Sequence, residues 1–240
     1  MHIRPLSRSD IPRVAAIALA AFEKDELYTF LYPRLQDYPD DFRRYQLISL
    51  RSRFVRLGCH GYVAVTDRDE IMGYAFFQRV AGPDAADAKK AQRWIQDSWL
   101  NKLERHLLSW EDSYHDLFDK AVDHTRVSQF LNQSRKARTV YKAVSPCWQL
   151  AILAVDPEYQ RRGVGSMLIC EAQRLARLDN VPLILESSEA ARSLYEKSGF
   201  KHLSSGEVCG MKDVKLIWYP DVQVGEVQTN EQRELKNALN

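Results

Sequence analysis

The 240 residues leave room for one large domain or a domain carrying an insertion, and 45% hydrophobic with 28% charged residues can support a packed core. Basic and acidic residues nearly cancel, 34 against 32 for a formal charge of +2, which argues against a general nucleic-acid binder with its strongly basic face. Cys59, Cys147, Cys170 and Cys209 lack metal-ligand spacing, no run nears the ~18 apolar residues of a membrane span, and Met1 to Asp10 holds no apolar signal core; the expectation is a cytoplasmic chain with reduced thiols, no metal and no membrane partner.

His2 to Leu6 reads as a short strand, followed by the cap candidates Ser7 to Asp10 with Pro12 near the first helical turn. Val14, Ile17, Ala18, Ala21 and Phe22 recur at helical spacing, so a first helix is expected to about Glu23. A second should hold Phe42 to Leu57 and stop at Gly58. Tyr62 to Thr66 and Ile71 to Phe77 are β-rich runs around the turn Asp67 to Glu70, the pattern of a hairpin.

From Pro83 to about Lys142 the chain becomes charged and tryptophan-bearing. Trp94, Ile95, Trp99, Leu103, Leu107 and Leu108 follow one helical stripe, and Leu117, Val122, Val127, Phe130 and Leu131 hint at another. Roughly sixty residues of helical insertion, about 83–146, fit better than a disordered linker, because the aromatic content is too high for disorder.

Trp148 to Val155 is an apolar run broken only by Gln149 and closed by Asp156-Pro157, typical of a buried central strand. A helix should start near Gly163 and end at Asn180 and Pro182. Pro182 to Glu186 then gives a strand, Ala190 to Lys197 a short helix, and Phe200 to Leu203 with Val214 to Tyr219 two last strands. The expected domain is 1–220, with a polar tail over 221–240 in which Thr229-Asn230 is a cap candidate.

The chemistry concentrates in Gln160-Arg161-Arg162-Gly163-Val164-Gly165-Ser166. Gly163 and Gly165 let the backbone approach a ligand, and the first helical turn leaves N–H groups unpaired at the positive end of the helix. With Arg161 and Arg162 beside it, this is a site for a phosphate or pyrophosphate. A dinucleotide fingerprint would need a third glycine where Leu168 stands, and a Walker loop would need Gly-Lys-Ser/Thr, which is absent. The plainer alternative is an ordinary glycine-containing helix start with solvated arginines.

Val155-Asp156-Pro157 followed by Gln160 to Gly165 resembles motif A, Q/R-x-x-G-x-G/A, of the GNAT superfamily, the Gcn5-related N-acetyltransferases. Ala191-Arg-Ser-Leu-Tyr195-Glu-Lys-Ser-Gly199-Phe200 resembles that family's A-x-x-L-Y-x-x-x-G-F, and Ile3-Arg4-Pro5 with Ser9-Asp10-Ile11 its common start. The resemblance covers roughly 1–80 and 148–219. It implies an α/β fold with a strongly twisted mixed sheet of about six or seven strands flanked by helices, the helical insertion preceding the central strand.

The resemblance also implies acetyl-CoA as co-substrate and no metal. Leu153, Ala154 and Val155 would face its pantetheine arm, an N–H of this strand would hold the thioester oxyanion, and Arg161 to Ser166 would cradle the pyrophosphate, with Gln160 also among the cofactor-binding residues. Ser188 stands where many relatives carry an asparagine that contacts pantetheine. Tyr195 matches the tyrosine that protonates the departing thiolate, the alternative being an aromatic that only packs and bonds the cofactor. Glu186 is the carboxylate best placed by position to take the amine proton, or else a structural hydrogen-bonding residue. The implied activity is direct transfer of acetyl to a primary amine of a small molecule in a ternary complex; a non-catalytic acyl-CoA sensor and an O-acyl or longer-chain transferase stay open.

The resemblance places the acceptor site at the first helices and last strands, where Phe22, Tyr28, Phe30, Tyr32 and Tyr38 with Glu23, Asp25 and Glu26 suggest an amine with an apolar body, against plain aromatic packing with solvated acids. His60 and His115 have no usable partner spacing. Trp94, Trp99 and Trp110 read as helix packing, with a cap over the site or a subunit contact as alternatives; a homodimer is left open.

Overall fold

The computed structural model describes residues 1–95, 97–189 and 191–220, apart from the Lys142 side chain. The expected tail over 221–240, with the Thr229-Asn230 cap, lies outside the described residues, as does Ala190, the expected first residue of the short helix.

Strand β1 (His2–Pro5) leads through a single 3₁₀ turn, Arg8–Asp10, into α1 (Ile11–Phe22). Asp10 closes this corner, accepting from the Ser7 amide at 2.7 Å, the Ser7 hydroxyl at 2.8 Å and Arg4 Nη1 at 2.7 Å. Burial would raise the Asp10 pKa, but the Arg4 and Ser7 hydrogen bonds outweigh it and hold the carboxyl at about 2. A carboxyl depressed on folding adds stability above its ordinary 3.8 and loses it as pH falls toward 2. Asp10→Asn is expected to cost ~1–2 kcal/mol at pH 6 and to flatten the acid limb of stability between pH 4 and 2. Urea unfolding across that range reads both.

Helices α2 (Glu26–Leu31) and α3 (Pro39–Phe54) follow, α2 capped by Asp25, whose Oδ1 accepts from the Leu27 amide at 3.0 Å. The hairpin forms as expected but longer, β2 (Cys59–Val65) against β3 (Ile71–Val80). Four helices then intervene: α4 (Ala85–Gln92), α5 (Trp99–Phe118), α6 (His124–Ala137) and α7 (Thr139–Val144). The chain re-enters the sheet in β4 (Cys147–Val155), leaves through α8 (Val164–Asp179), and returns in β5 (Leu183–Ser187). Short α9 (Arg192–Lys197) precedes β6 (Lys201–Val208) and β7 (Met211–Trp218), which form a hairpin turned by Cys209 and Gly210, both at positive φ. β6 runs five residues beyond the stretch expected from apolar pattern, because as an edge strand it is mostly exposed and polar.

The seven strands lie in the order β1-β2-β3-β4-β5-β7-β6, antiparallel except for the parallel pair β4/β5. This is the mixed sheet of the expected α/β class. Helix α8 covers one face, burying Leu168, Ile169, Ala172 and Leu175 against Trp148, Leu150, Leu183 and Leu185. Helix α1 covers the other, with Val14, Ile17 and Ala18 against Val63, Tyr74 and Phe76.

One buried ionic knot ties the elements together below the site. Asp179, at the end of α8, accepts from Arg79 of β3 at 2.7 Å, Trp148 Nε1 of β4 at 3.1 Å and Trp94 Nε1 at 3.0 Å, and also from Arg93. Burial would raise the Asp179 pKa, but these donors bring it below the usual carboxylate value. Arg79 also reaches Asp87 of α4 at 2.6 Å, so the start of the insertion is fastened to the sheet. Among the described residues, no helix is long and apolar enough to cross a membrane.

Candidate active site

Strands β4 and β5 pair only over Trp148 to Leu150 against Leu183 to Leu185. β4 continues to Val155 and β5 to Ser187 without meeting again, so the two part in a fork. The cause lies on the other side of β4: Phe76 and Phe77 are consecutive in β3, but their partners are Ile152 and Leu150, so Ala151 is an extra, bulged residue and stands exposed.

The bulge also sets which amides face the fork. Trp148 N–H donates to Pro182 O at 2.8 Å, on the β5 side, whereas Asp156 N–H donates to Met72 O at 2.9 Å, on the β3 side. Amide direction alternates along a strand, so beyond the bulge Ile152 and Ala154 bond toward β3, while Leu153 and Val155 point their amides into the fork. The Val155 carbonyl receives the Gln160 side chain at 3.2 Å.

Across the fork mouth lies the N-terminus of α8. Asp156 starts the approach, its Oδ1 accepting from the Glu158 amide at 3.0 Å. Arg161 and Gly163 then take left-handed conformations, φ +64° and +84°. Gly163 is the N-cap without a side-chain hydrogen bond, and an added Cβ there would meet nothing within 4 Å. The N–H groups of Val164, Gly165 and Ser166 therefore open onto free space. Gly73 in β3 lets this helix end approach the sheet: a Cβ on it would lie 2.8 Å from Ala154 O and 3.1 Å from Val164 Cγ1. Arg161 and Arg162 are exposed, and Arg162 lies over the Tyr159 ring at 5.5 Å; neither has a salt bridge among the described residues.

Tyr195 of α9 is buried at 7% exposure, its ring 5.8 Å from that of Phe200. Its hydroxyl has no hydrogen-bond partner among the described residues, and burial pushes its pKa up to about 12. Leu194 next to it packs on Gly165, 3.1 Å from where a Cβ would stand, so α9 adjoins the open helix end.

Glu186 lies on the opposite sheet face. Its Oε1 accepts from Tyr141 Oη of α7 at 2.8 Å and lies 3.5 Å from Arg138 Nε. Its neighbour across the β5/β7 ladder is Lys215, buried at 2% and paired with Asp213. The end of the insertion thus reaches the tip of the fork. Tyr141, Arg138 and Lys215 were not legible as neighbours of Glu186, because a tyrosine 45 positions from its carboxylate in an unrelated helix carries no local signal. Ser188 is exposed at the exit of β5, on the lip of a depression of about 40 Å³ shared with Glu189, Arg192 and Lys212.

Of the aromatic residues near the first helices, Phe22, Tyr28, Phe30 and Tyr32 pack in one cluster, whereas Tyr38 is exposed, with Lys120 Nζ 5.7 Å over its ring. Tyr28, Tyr32, Phe42 and Tyr45 pack ring against ring, mostly edge-on or tilted, with centroids 5.0–6.3 Å apart, and Asp25 caps α2. Plain packing accounts for Phe22, Tyr28, Phe30 and Tyr32, but not for Tyr38. His60 wedges between Trp94 and Trp148, and His115 Nε2 lies 3.1 Å from Asp41 O, both as structural residues. Trp94 packs in the core, but Trp99 and Trp110 face solvent.

Comparison with known proteins bears on this parted parallel pair beside an open helix end. Residues 120–202 match the family model described as an acetyltransferase (GNAT) domain. An uncharacterised N-acetyltransferase of Schizosaccharomyces pombe is 26% identical over 203 residues, 82% of this chain and 80% of the relative. A structure described as histone acetyltransferase HPA2 and related acetyltransferase, from Corynebacterium glutamicum, superposes with a TM-score of 0.60 at 19% identity, covering 93% of this chain and 98% of that one. An aminoglycoside 6′-N-acetyltransferase complexed with coenzyme A gives 0.51 at 10% identity, covering 94% and 100%. At such identities the structures speak for the fold alone. Residues 120–202 thus match a GNAT acetyltransferase domain, and the fold of the chain is that of GNAT acetyltransferases.

Proposed function

We propose that this protein transfers acetyl from acetyl-CoA to a primary amine of a small molecule, by direct attack within a ternary complex. The observation that carries the reading is the parting of β4 from β5 after Leu150, next to the uncapped N-terminus of α8. β4 and β5 do not pair beyond Leu150, and the outward amides of Leu153 and Val155 suit an amide-bearing arm laid in as an added strand. The free N–H groups of Val164 to Ser166, with Arg161 and Arg162, suit the pyrophosphate. Gln160 acts indirectly in this reading, steadying the end of β4 through the Val155 carbonyl.

The reaction needs three things. The amine lone pair attacks the thioester carbon, and a strand amide in the fork holds the oxyanion. As the C–S bond breaks, the Tyr195 hydroxyl gives its proton to the sulfur. The proton leaving the amine goes to Glu186, directly or through water. Tyr195 fits a donor, because burial keeps it protonated across the neutral range. Four free thiols suit a reducing cytoplasm, and a small acceptor can approach along α6 and α7, where Phe130, Leu131, Arg135 and Arg138 line a groove of about 410 Å³.

Thiol release from acetyl-CoA against a panel of polyamines, aminoglycosides, amino acids and peptide N-termini tests the reading; calorimetric binding without turnover on any amine would leave an acyl-CoA sensor instead. Glu186→Gln is expected to lower kcat/KM ~10–50-fold at pH 7. The deficit should shrink as pH rises toward the pKa of the amine, which then arrives deprotonated. An unchanged rate with a lowered melting temperature would assign Glu186 to structure. Tyr141→Phe leaves the carboxylate in place and should change kcat/KM less than fivefold.

A further inference from the structure

Helix α5 is inside out. Its inward face carries Glu104, Leu108 and His115, all buried, and only Leu108 is apolar. Glu104 is held by Arg8 and by Arg51 Nε at 3.1 Å, Glu111 by Arg51 at 2.7 Å, and Leu108 packs on Ile48 and Val55. The outward face carries Trp99, Leu100, Leu103, Leu107, Trp110, Tyr114, Leu117 and Phe118, each 43–79% exposed. Six of these, Leu100, Leu103, Leu107, Trp110, Tyr114 and Leu117, are spaced 3, 4, 3, 4 and 3 residues apart, the seam of a two-helix coiled coil over nearly three heptads. Nothing else in the described chain covers it.

We infer that this seam is a homodimer interface in which α5 pairs antiparallel with α5 of a second copy. Two observations select that occupant. The first is area: with large side chains of 150–250 Å² each, these exposures leave roughly 1,000 Å² of apolar surface, well above the 300–600 Å² patch of an ordinary monomer and close to the ~800 Å² per partner of a stable interface. The second is self-complementarity, which a two-fold dimer requires. Turning the helix about a point between Leu108 and Ser109 sets Leu107 against Trp110 of the second copy, Leu103 against Tyr114, Leu100 against Leu117 and Trp99 against Phe118. Every seam residue meets another seam residue, and in two of the four pairs a leucine meets an aromatic ring.

Charge agrees with this choice. Glu104 and Glu111, which border the seam, are already neutralised by Arg8 and Arg51 of their own chain, so pairing brings no bare like charges together. The helix carries Lys102 and Arg105 against Glu104, Glu111, Asp112 and Asp116, an acidic excess that an anionic lipid surface would repel.

Sedimentation equilibrium of the full chain tests this at roughly 1–100 µM. A dimer is expected, and Trp110→Glu or Leu107→Lys alone should weaken it ~30-fold or more. Both residues are exposed in the single chain, so circular dichroism and the urea midpoint should stay unchanged. Mixing the two variants should restore a one-to-one dimer, because the antiparallel register sets the new lysine of one against the new glutamate of the other and leaves the second Leu107/Trp110 pair intact. A monomer throughout the range overturns the inference, whether or not it binds anionic vesicles. So does a dimer indifferent to both substitutions, or a mixture that stays monomeric.

Discussion

Tyr195→Phe is expected to lower kcat for acetyl transfer ~10²–10³-fold while changing KM for acetyl-CoA less than threefold. The substitution removes one oxygen that bonds no other described residue and keeps the ring that packs on Phe200. Folding and cofactor affinity should therefore survive. What is lost is the proton for the sulfur, an interaction made only as the C–S bond breaks, so the deficit falls on kcat. Burial raises the Tyr195 pKa to about 12. A group raised on folding keeps its proton, and the stability tied to it, below its ordinary value of 10, losing both only as pH rises toward 12. The wild-type rate should then show no alkaline loss from this group up to about pH 10, and the ratio of wild type to variant should stay constant from pH 7 to 10. Steady-state thiol release over that range is the measurement. A Phe variant with full kcat would leave Tyr195 as packing, with water protonating the thiolate.

Much of this site is local in sequence, and that part was legible. Gly163, Gly165 and the two arginines mark an uncapped, positively charged helix start because glycine, charge and helix end are chemical statements made within six residues. Alternation and turn residues likewise carried the β2/β3 hairpin. The Ala151 bulge was not readable from the residues themselves, since it is a small apolar residue in a run that is apolar apart from Gln149; the parted strands were expected only through family resemblance. Nor was the direction in which α5 faces. A stripe at helical spacing says that a helix has two faces, and the hydrophobic one is ordinarily taken as the inner. Here Arg8 and Arg51 claim the acidic face through Glu104 and Glu111, which turns the leucines and tryptophans outward. The partners of Glu186 were hidden for a related reason: Tyr141 and Arg138 come to it only because the insertion, fastened at its start by Arg79 and Asp87, folds back at its end onto β5.

Gly165→Asp should separate binding from folding at the helix end. An aspartate at the second helical position is favourable for the helix itself, because its charge meets the positive end of the dipole and the free first-turn amides. The new Cβ would lie 3.1 Å from Leu194 Cδ2, the tip of a side chain that can shift by a few tenths of an ångström. Thermal stability should thus change little, by ~1 kcal/mol or less. For a pyrophosphate the same carboxylate is an obstacle twice over: it occupies the N–H groups of Val164 to Ser166, and it sets a negative charge against the ligand. At ~4 Å and an effective dielectric near 20 that repulsion alone approaches 4 kcal/mol, so affinity for coenzyme A should fall at least 100-fold. Calorimetric titration with coenzyme A and with dephospho-coenzyme A reads the loss, and both should fall together, because the pyrophosphate is common to them. The isosteric Gly165→Asn, which lacks the charge, should recover at least tenfold of it. If the aspartate variant binds coenzyme A as tightly as the wild type, the diphosphate does not sit on α8, and the acyl-transfer reading loses its anchor.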